Sequence, residues 1–323
     1  MFLLFTDSHW DDAPNNEYRW QIFQHVRKIA KEKKISHIFH LGDAVDKKDR
    51  FPSSFVNRLV SEFHETIKIA PLTILRGNHD SPLNGPAFFE FLNYMAGKIE
   101  YLTEPTLWSH DLALLPYSAD PIEDWKGINF QQLKAAFMHQ TPSSTVSENG
   151  TALTGHRLPI FPRDLNVYTG DAHVQQKIRN IVCIGCPHHI KFGDKFPCRI
   201  LLLDEDTFDI AEEITLETQS KRVIEVSSLA EIEQLVITSG DQVRIKFNLA
   251  TDQIENWGAI EQKVVAWAKH SGVDLASVEA IIEQKGVALS DLDTNPETIL
   301  RKFAEDEKIS EDLLSVGLEL LKE

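Results

Sequence analysis

A chain of 323 residues exceeds the usual size of one hydrophobic core, so one large domain with a smaller one beside it is expected. Its 42% apolar and 25% charged residues are ordinary for a soluble globular protein, and no run approaches the roughly 18 consecutive apolar residues of a membrane span. The 33 basic against 49 acidic residues, a net charge of −16, argue against a broad basic surface for phosphate backbones, although bound divalent ions add local positive charge that this count omits.

The apolar run at 2–5 predicts a buried strand and leads directly into a D-x-H at Asp7 and His9. This start lacks the basic stretch of a signal peptide, so the expected location is the cytoplasm. A helical pattern follows over about 17–33, with Trp20, Phe23, Val26, Ile29 and Ala30 on one stripe. A second strand, 37–41, leads into Gly42 and Asp43. A second amphipathic helix over 53–67 carries Phe55, Val56, Leu59, Val60 and Phe63, and a third strand, 72–75, leads into G-N-H-D from Gly77 to Asp80. Each polar cluster thus sits at the C-terminal end of a strand. Alternating strands and helices predict an α/β sheet whose ligands gather on the loops beyond those ends.

From about residue 99 the pattern changes to shorter strands, at 112–115, 135–138, 166–169, 181–184 and 199–203, which implies a second sheet. His139 follows the second of these, and G-D-x-H from Gly170 to His173 follows the third. The segment 141–162, rich in Ser, Thr, Gly and Pro, reads as a loop over the site. After residue 218 a strand at 223–226, a helix at 229–236, a strand at 242–247 and a helix at 254–270 suggest a small appended α/β module. The tail suggests two short amphipathic helices. The expected division is 1–218, 219–290 and 291–323. Cys183, Cys186 and Cys198 offer one C-x-x-C without a second pair, and read as reduced thiols rather than a zinc site.

Asp and Asn oxygens and neutral imidazoles are the ligands that a pair of Mn²⁺, Fe or Zn²⁺ ions takes, and one carboxylate bridges two ions about 3.5–4 Å apart. In this reading Asp7, His9 and His173 hold one ion. Asp43 bridges, and Asn78, His139 and Asp171 hold the second. His79 is the general acid, with Asp80 orienting its ring. Trp10 is a candidate stacking platform for a base or ribose, and the adjacent His188 and His189 are candidate phosphate contacts; local packing is the plainer reading of all three.

The ordered motifs resemble those of calcineurin-like metallophosphoesterases over about residues 1–215. More narrowly, GDAHVQQKIRNIVCIGCP followed by FGDKFPCRILLLD, together with GDQVRIKF and the ending ISEDLLSVGLELLKE, resembles the SbcD family, the nuclease subunit of SbcCD-type DNA repair and recombination complexes. The resemblance implies an α/β (α+β) fold: a four-layer β-sandwich flanked by helices, with a capping domain and a helical tail. It also implies Mn²⁺-dependent exonuclease and endonuclease action on DNA, with no membrane. Homodimerisation through helices at about 53–67 and 85–96, and an SbcC-like coiled-coil ATPase partner bound by the tail, follow from the same resemblance. Asp171 departs from the common G-H-x-H; its harder oxygen favours Mn²⁺ or Mg²⁺ over Zn²⁺. Two alternatives stand beside this reading. GDAVDKK is similar to the G-D-x-V-D-R-G of protein phosphatases, with Lys47 in place of arginine, which suggests a phosphatase or cyclic-nucleotide phosphodiesterase; a non-catalytic assembly subunit is the other.

Overall fold

The first strand, β1 (Phe2–Phe5), is buried on both faces: Leu3 and Phe5 turn to one apolar cluster, Phe2 and Leu4 to another. That alternation is the period of a strand held between two layers, and the rest of the chain supplies the layers. The computed structural model describes residues 1–48, 50–82, 86–94, 97–282, 296–306 and 309–321.

Helix α1 (Gln21–Glu32) and α2 (Ser53–Ile67) separate β1 from β2 (His37–His40) and β2 from β3 (Leu72–Leu75). After β4 (Ile99–Leu102) come β5 (Thr106–Leu107), β6 (Leu112–Leu115), the single turn α3 (Pro121–Asp124), β7 (Ala135–His139) and β8 (Asn166–Gly170). The strands β9 (Gln176–Ile178), β10 (Ile181–Cys183), β11 (Arg199–Leu203) and β12 (Ile210–Thr215) complete two six-stranded sheets, ordered β12-β11-β1-β2-β3-β4 and β5-β6-β7-β8-β10-β9. Within them β1 to β4 run parallel, as do β6, β7, β8 and β10.

The sheets face each other across Leu4, Phe39 and Leu41 on one side and Leu114, Phe137 and Tyr168 on the other. Burial of each such large side chain contributes about 1.5–3 kcal/mol. The outer face of the first sheet is covered by Ile22, Phe23 and Val26 of α1 and by Phe55, Leu59 and Phe63 of α2. The outer face of the second sheet meets Trp125, Phe130 and Phe161, carried by short turns and loop rather than long helices. The result is a mixed α/β sandwich, as the motifs implied.

Three helices differ from expectation. Residues 14–20 form a 3₁₀ turn before α1, where the Asp11 carboxylate accepts from Ala13 N and Asn16 Nδ2 and tightens the segment. The expected helix at 85–96 is a 3₁₀ turn, Phe88–Tyr94, whose Phe89 and Leu92 bury the i, i+3 edge that a threefold helix aligns; residues 85, 95 and 96 lie outside the described residues. The apolar stripe of α2 proposed for dimer contact is buried within its own chain, with Phe55, Leu59 and Phe63 at most 3% exposed, so it offers no free face to a second copy.

A third sheet, β13 (Lys221–Val226), β14 (Gln242–Leu249) and β15 (Asp274–Ile282), is all parallel, ordered in sequence and connected by α4 (Leu229–Glu233) and α5 (Trp257–Ser271). It has its own core around Ile232, Val243, Ile245, Phe247 and Val264. Helices α6 (Pro296–Asp306) and α7 (Glu311–Leu320) form the tail. Among the described residues no helix is long and apolar enough to cross a membrane, and Cys183, Cys186 and Cys198 are buried free thiols.

Candidate metal centre

Five parallel strands end at one place: β1, β2 and β3 of the first sheet, β7 and β8 of the second. Their C-terminal loops carry Asp7 and His9, Asp43, Asn78 and His79, His139, and Asp171 and His173. The sandwich therefore brings together all seven side chains expected to hold cations. The turns are sharp. Asp7, His9, Asp43 and Asp171 have φ of 51°, 43°, 54° and 70°, a left-handed backbone that costs non-glycine residues about 1–3 kcal/mol each. Loop-to-loop bonds hold them there, Asp7 N to Gly42 O at 3.0 Å and His9 N to Asp43 O at 3.1 Å. Gly42, at φ 102°, has no room for a Cβ, which would lie 2.4 Å from His139 Nδ1.

The seven side chains form two sets of converging lone pairs. In the first, His9 Nε2 lies 3.4 Å from His173 Nε2, and both lie 3.8 Å from Asp7 Oδ1. That Asp7 oxygen is buried with no hydrogen-bond partner, while Oδ2 accepts from Asp171 N at 3.1 Å. In the second set His139 Nε2 lies 3.0 Å from Asn78 Oδ1, 3.3 Å from Asp43 Oδ1 and 3.9 Å from Asp171 Oδ1. The ring of His139 donates from Nδ1 to Leu41 O at 2.6 Å, which turns Nε2 inward toward the carboxylates. Asp43 spans the sets, with Oδ1 toward His139 and Oδ2 3.9 Å from His9 Nε2.

Burial pushes the Asp7 carboxyl up to about 8, a shift that His139 lowers and that Asp43 and Asp171 raise further. Burial lowers His139, but Asp43, Asp7 and Asp171 outweigh it and carry the ring up to about 10. Three carboxylates around one buried imidazole are thus short of positive charge. The orphaned Asp7 oxygen, the amide group of Asn78 turned toward His139 and Asp43, and this charge deficit all fit a pair of divalent cations held by oxygen and imidazole donors. Residues 1–188 match the family described as calcineurin-like phosphoesterase.

The chain belongs to that family. The chemistry of calcineurin-like phosphoesterases is metal-dependent hydrolysis of phosphoesters, and the two donor sets are what that chemistry requires. No curated protein matches the sequence. Among solved structures the chain is similar to the Pseudomonas putida nuclease MPE, with 15% identity and a TM-score of 0.31 over 54% of this chain and 62% of that one. It is similar to GAP50, the anchor in the inner membrane complex of Plasmodium, with 10% identity and a TM-score of 0.41 over 68% and 89%. It is also similar to the purple acid phosphatase PPD1 from yellow lupin (Lupinus luteus) seeds, with 11% identity and a TM-score of 0.30 over 59% and 41%. The chain spans less than two thirds of the length of that nuclease and of that phosphatase.

His79 stands beside the donor sets, its ring 5.0 Å from that of His9, and lines an open cleft of ≈ 950 Å³. One wall of the cleft is Val146 to Asn149 with Leu153, from the loop expected to lie over the site; the other is Lys191 to Phe196. The walls are tied where Lys195 N donates to Glu148 Oε1 at 2.6 Å.

Four expected roles are corrected. Asp80 does not orient His79: its carboxylate accepts from Gly77 N at 2.7 Å, Asp43 N at 3.0 Å and Val45 N at 3.2 Å, and His79 Nδ1 instead meets the Asp46 carbonyl at 3.0 Å. Trp10 is fully buried, stacked on Phe23 at 4.2 Å with Nε1 donating to Arg19 O, so no base reaches it. His188 is fully buried, with Nε2 2.7 Å from Ser8 O. His189 has Nε2 against Phe196 O at 3.0 Å and Nδ1 buried, so neither ring faces a phosphate.

Sequence reasoning passed over three contributors. Asp46 holds His79 by its carbonyl and sets Oδ1 3.5 Å from His9 Nδ1; its spacing three residues after Asp43 was an available signal. Arg19 donates to His9 O and Asp11 Oδ2. Thr141 donates to Asp171 Oδ2 at 2.5 Å. That last pairing has no local signal, because it exists only through the register that sets His139 opposite Gly170 across β7 and β8.

Proposed function

We propose that the chain is a Mn²⁺-dependent DNA nuclease that hydrolyses phosphodiester bonds and serves as the nuclease subunit of an SbcCD-like repair and recombination complex. The observation that carries the hydrolytic part is Asp43, whose two oxygens face two separate donor sets with His79 beside them. The nuclease part is favoured by the open cleft, larger than a phosphomonoester needs, with Lys191 and Lys195 on one wall and exposed Val146 and Leu153 on the other.

When bound, two divalent ions orient the phosphate, lower the pKa of the attacking water and offset the charge that develops on the phosphoryl oxygens. The chain does the rest. Asp7, His9 and His173 on one side, and Asn78, His139 and Asp171 on the other, fix the positions, with Asp43 shared. His79 Nδ1–H donates to the Asp46 carbonyl, which leaves the Nε2 proton of the doubly protonated ring to be given to the leaving oxygen as general acid. An SbcC-like ATPase is proposed as partner of α6 and α7, whose Ile299, Phe303, Leu313 and Val316 are exposed. The chain is also proposed to act as a homodimer, through surfaces other than the buried stripe of α2.

The test is a side-by-side assay, with Mn²⁺, of end-labelled duplex, circular single-stranded DNA, a nitrophenyl diester, a monoester and cyclic nucleotides. Both DNAs are expected to be cut. Asp43→Asn loses bound metal together with turnover, whereas His79→Ala keeps the metal and loses about 10²–10⁴-fold in rate. Hydrolysis of monoester or cyclic nucleotide with intact DNA would replace the nuclease reading by a phosphatase or phosphodiesterase one.

A further inference from the structure

The two donor sets are chemically unequal. The first offers two imidazole nitrogens with carboxylate oxygens of Asp7 and Asp43; the second offers the single nitrogen of His139 with oxygens from Asn78, Asp43 and Asp171. The least constrained carboxylate is Asp171. A ligand imidazole presents one lone pair in one direction. A carboxylate has two equivalent oxygens and a broad terminal torsion, so it can face a cation with either oxygen, with both, or turn away. Asp171 is also more open to solvent than the other two carboxylates, its side chain 21% exposed against 0% for Asp7 and 2% for Asp43.

Thr141 removes this freedom. Its Oγ1 donates to Asp171 Oδ2 at 2.5 Å, which leaves Oδ1 as the oxygen directed to His139, 3.9 Å from Nε2. The backbone beneath is held from the other side, where Asp171 N donates to Asp7 Oδ2 at 3.1 Å. Thr141 is itself well placed to hold a direction. It is 7% exposed, its carbonyl accepts from His156 N at 2.9 Å, and its branched Cβ restricts rotation of the hydroxyl. The hydroxyl reaches no other acceptor among the bonds of the described residues.

We infer that Thr141 is a positioning residue for the second cation: its hydroxyl fixes Asp171 as a one-oxygen ligand and thereby sets the affinity of the oxygen-rich position without touching the ion. The inference rests on the two-cation reading of the site, and not on the identity of the substrate. Loss of an outer partner of a metal ligand typically lowers affinity about 10–100-fold.

The experiment is calorimetric titration of the full chain with Mn²⁺, with the spin-coupled dimanganese resonance as a second readout. The wild type is expected to bind two ions. Thr141→Val keeps the first and binds the second about 10–100-fold more weakly, with loss of the coupled signal at limiting Mn²⁺. Thr141→Ser restores both. In an Asp171→His background, where the ligand needs no hydroxyl to aim it, Thr141→Val leaves the second affinity unchanged; this non-additivity separates positioning from a general loosening of the loop. A wild type with two ions and a Thr141→Val variant with the same second affinity, or one in which both ions weaken together with the melting temperature, overturns the role of Thr141 alone. A wild type that binds fewer than two ions at saturation overturns the metal-centre reading and this inference with it.

Discussion

Asp80 shows how adjacency in sequence differs from contact in space. It follows His79 directly, yet its carboxylate binds the amides of Gly77, Asp43 and Val45 and so staples the turn after β3 to the turn after β2. Asp80→Asn places an NH₂ donor against at least one of those N–H groups, and is expected to cost about 1–3 kcal/mol in denaturant unfolding. Because Asp43 N is one of the amides, cation affinity falls as well, while His79 keeps its bond to the Asp46 carbonyl. Unchanged unfolding and cation affinity, with turnover lowered as far as in His79→Ala, would return Asp80 to the acid. The seven proposed ligands were legible from residue type and order alone, since a D-x-H, a G-D and a G-N-H at successive strand ends have few other uses. Thr141, Asp46 and the fate of Trp10 were not, because each depends on a partner from another loop or helix.

At the scale of elements, β2 carries a histidine that nothing in the site uses. His37 begins the strand, bonds Thr73 Oγ1 of β3 at 2.8 Å and packs against Phe39 and Trp108 with ring centroids 4.5 and 5.0 Å away. Burial lowers its pKa from 6.5 to about 4. Between those values the unfolded chain binds a proton that the folded chain refuses, so the stabilisation is fully present above pH 6.5 and is lost as the pH falls toward 4. For a ring that keeps some exposure this amounts to about 1–2 kcal/mol. Thermal melts between pH 7 and about 4 are expected to fall less steeply for His37→Gln than for the wild type; parallel slopes would show that other groups govern acid unfolding. Strands β1 to β3 and helices α1 and α2 were readable because their periodicities are strong; β4 of the same sheet was missed, and 199–203, expected in the second sheet, instead pairs antiparallel with β1 in the first. The short strands β5, β9 and β12 were missed, being two to six residues long with little apolar pattern. So was β15, whose faces are at most half-buried.

For the whole molecule, the third sheet meets the sandwich at Lys221. This side chain is 6% exposed, donates to Asn16 Oδ1 at 3.0 Å and lies over the Tyr18 ring at 5.4 Å, while its carbonyl accepts from Gly193 N at 2.8 Å. Burial, with Arg19 nearby, lowers its pKa to about 8. Beside it the guanidinium of Arg244 covers Phe192 at 4.2 Å, on the wall of the cleft. Lys221→Ala removes the side-chain contacts and keeps the backbone bond, a loss of about 1–3 kcal/mol at the junction. Calorimetry is expected to resolve a lower-temperature transition for the third sheet, with the main transition and cation affinity retained. One unchanged transition would mean that Gln242, whose Nε2 donates to Asn15 O, together with Arg244 and the backbone, holds the junction without Lys221.

The amino-acid sequence by itself determined the alternation of strand and helix, the strand-end position of each polar cluster and the donor types of a cation pair, because these are properties of periodicity, order and side-chain chemistry. Which oxygen of Asp43 faces which set, that Asp80 serves amides, that Trp10 and His188 are walled in, and that Thr141 meets Asp171 were decided only by the tertiary structure. Those facts arise where parallel strands of two sheets end side by side, and the register across such ends links residues tens to more than a hundred positions apart.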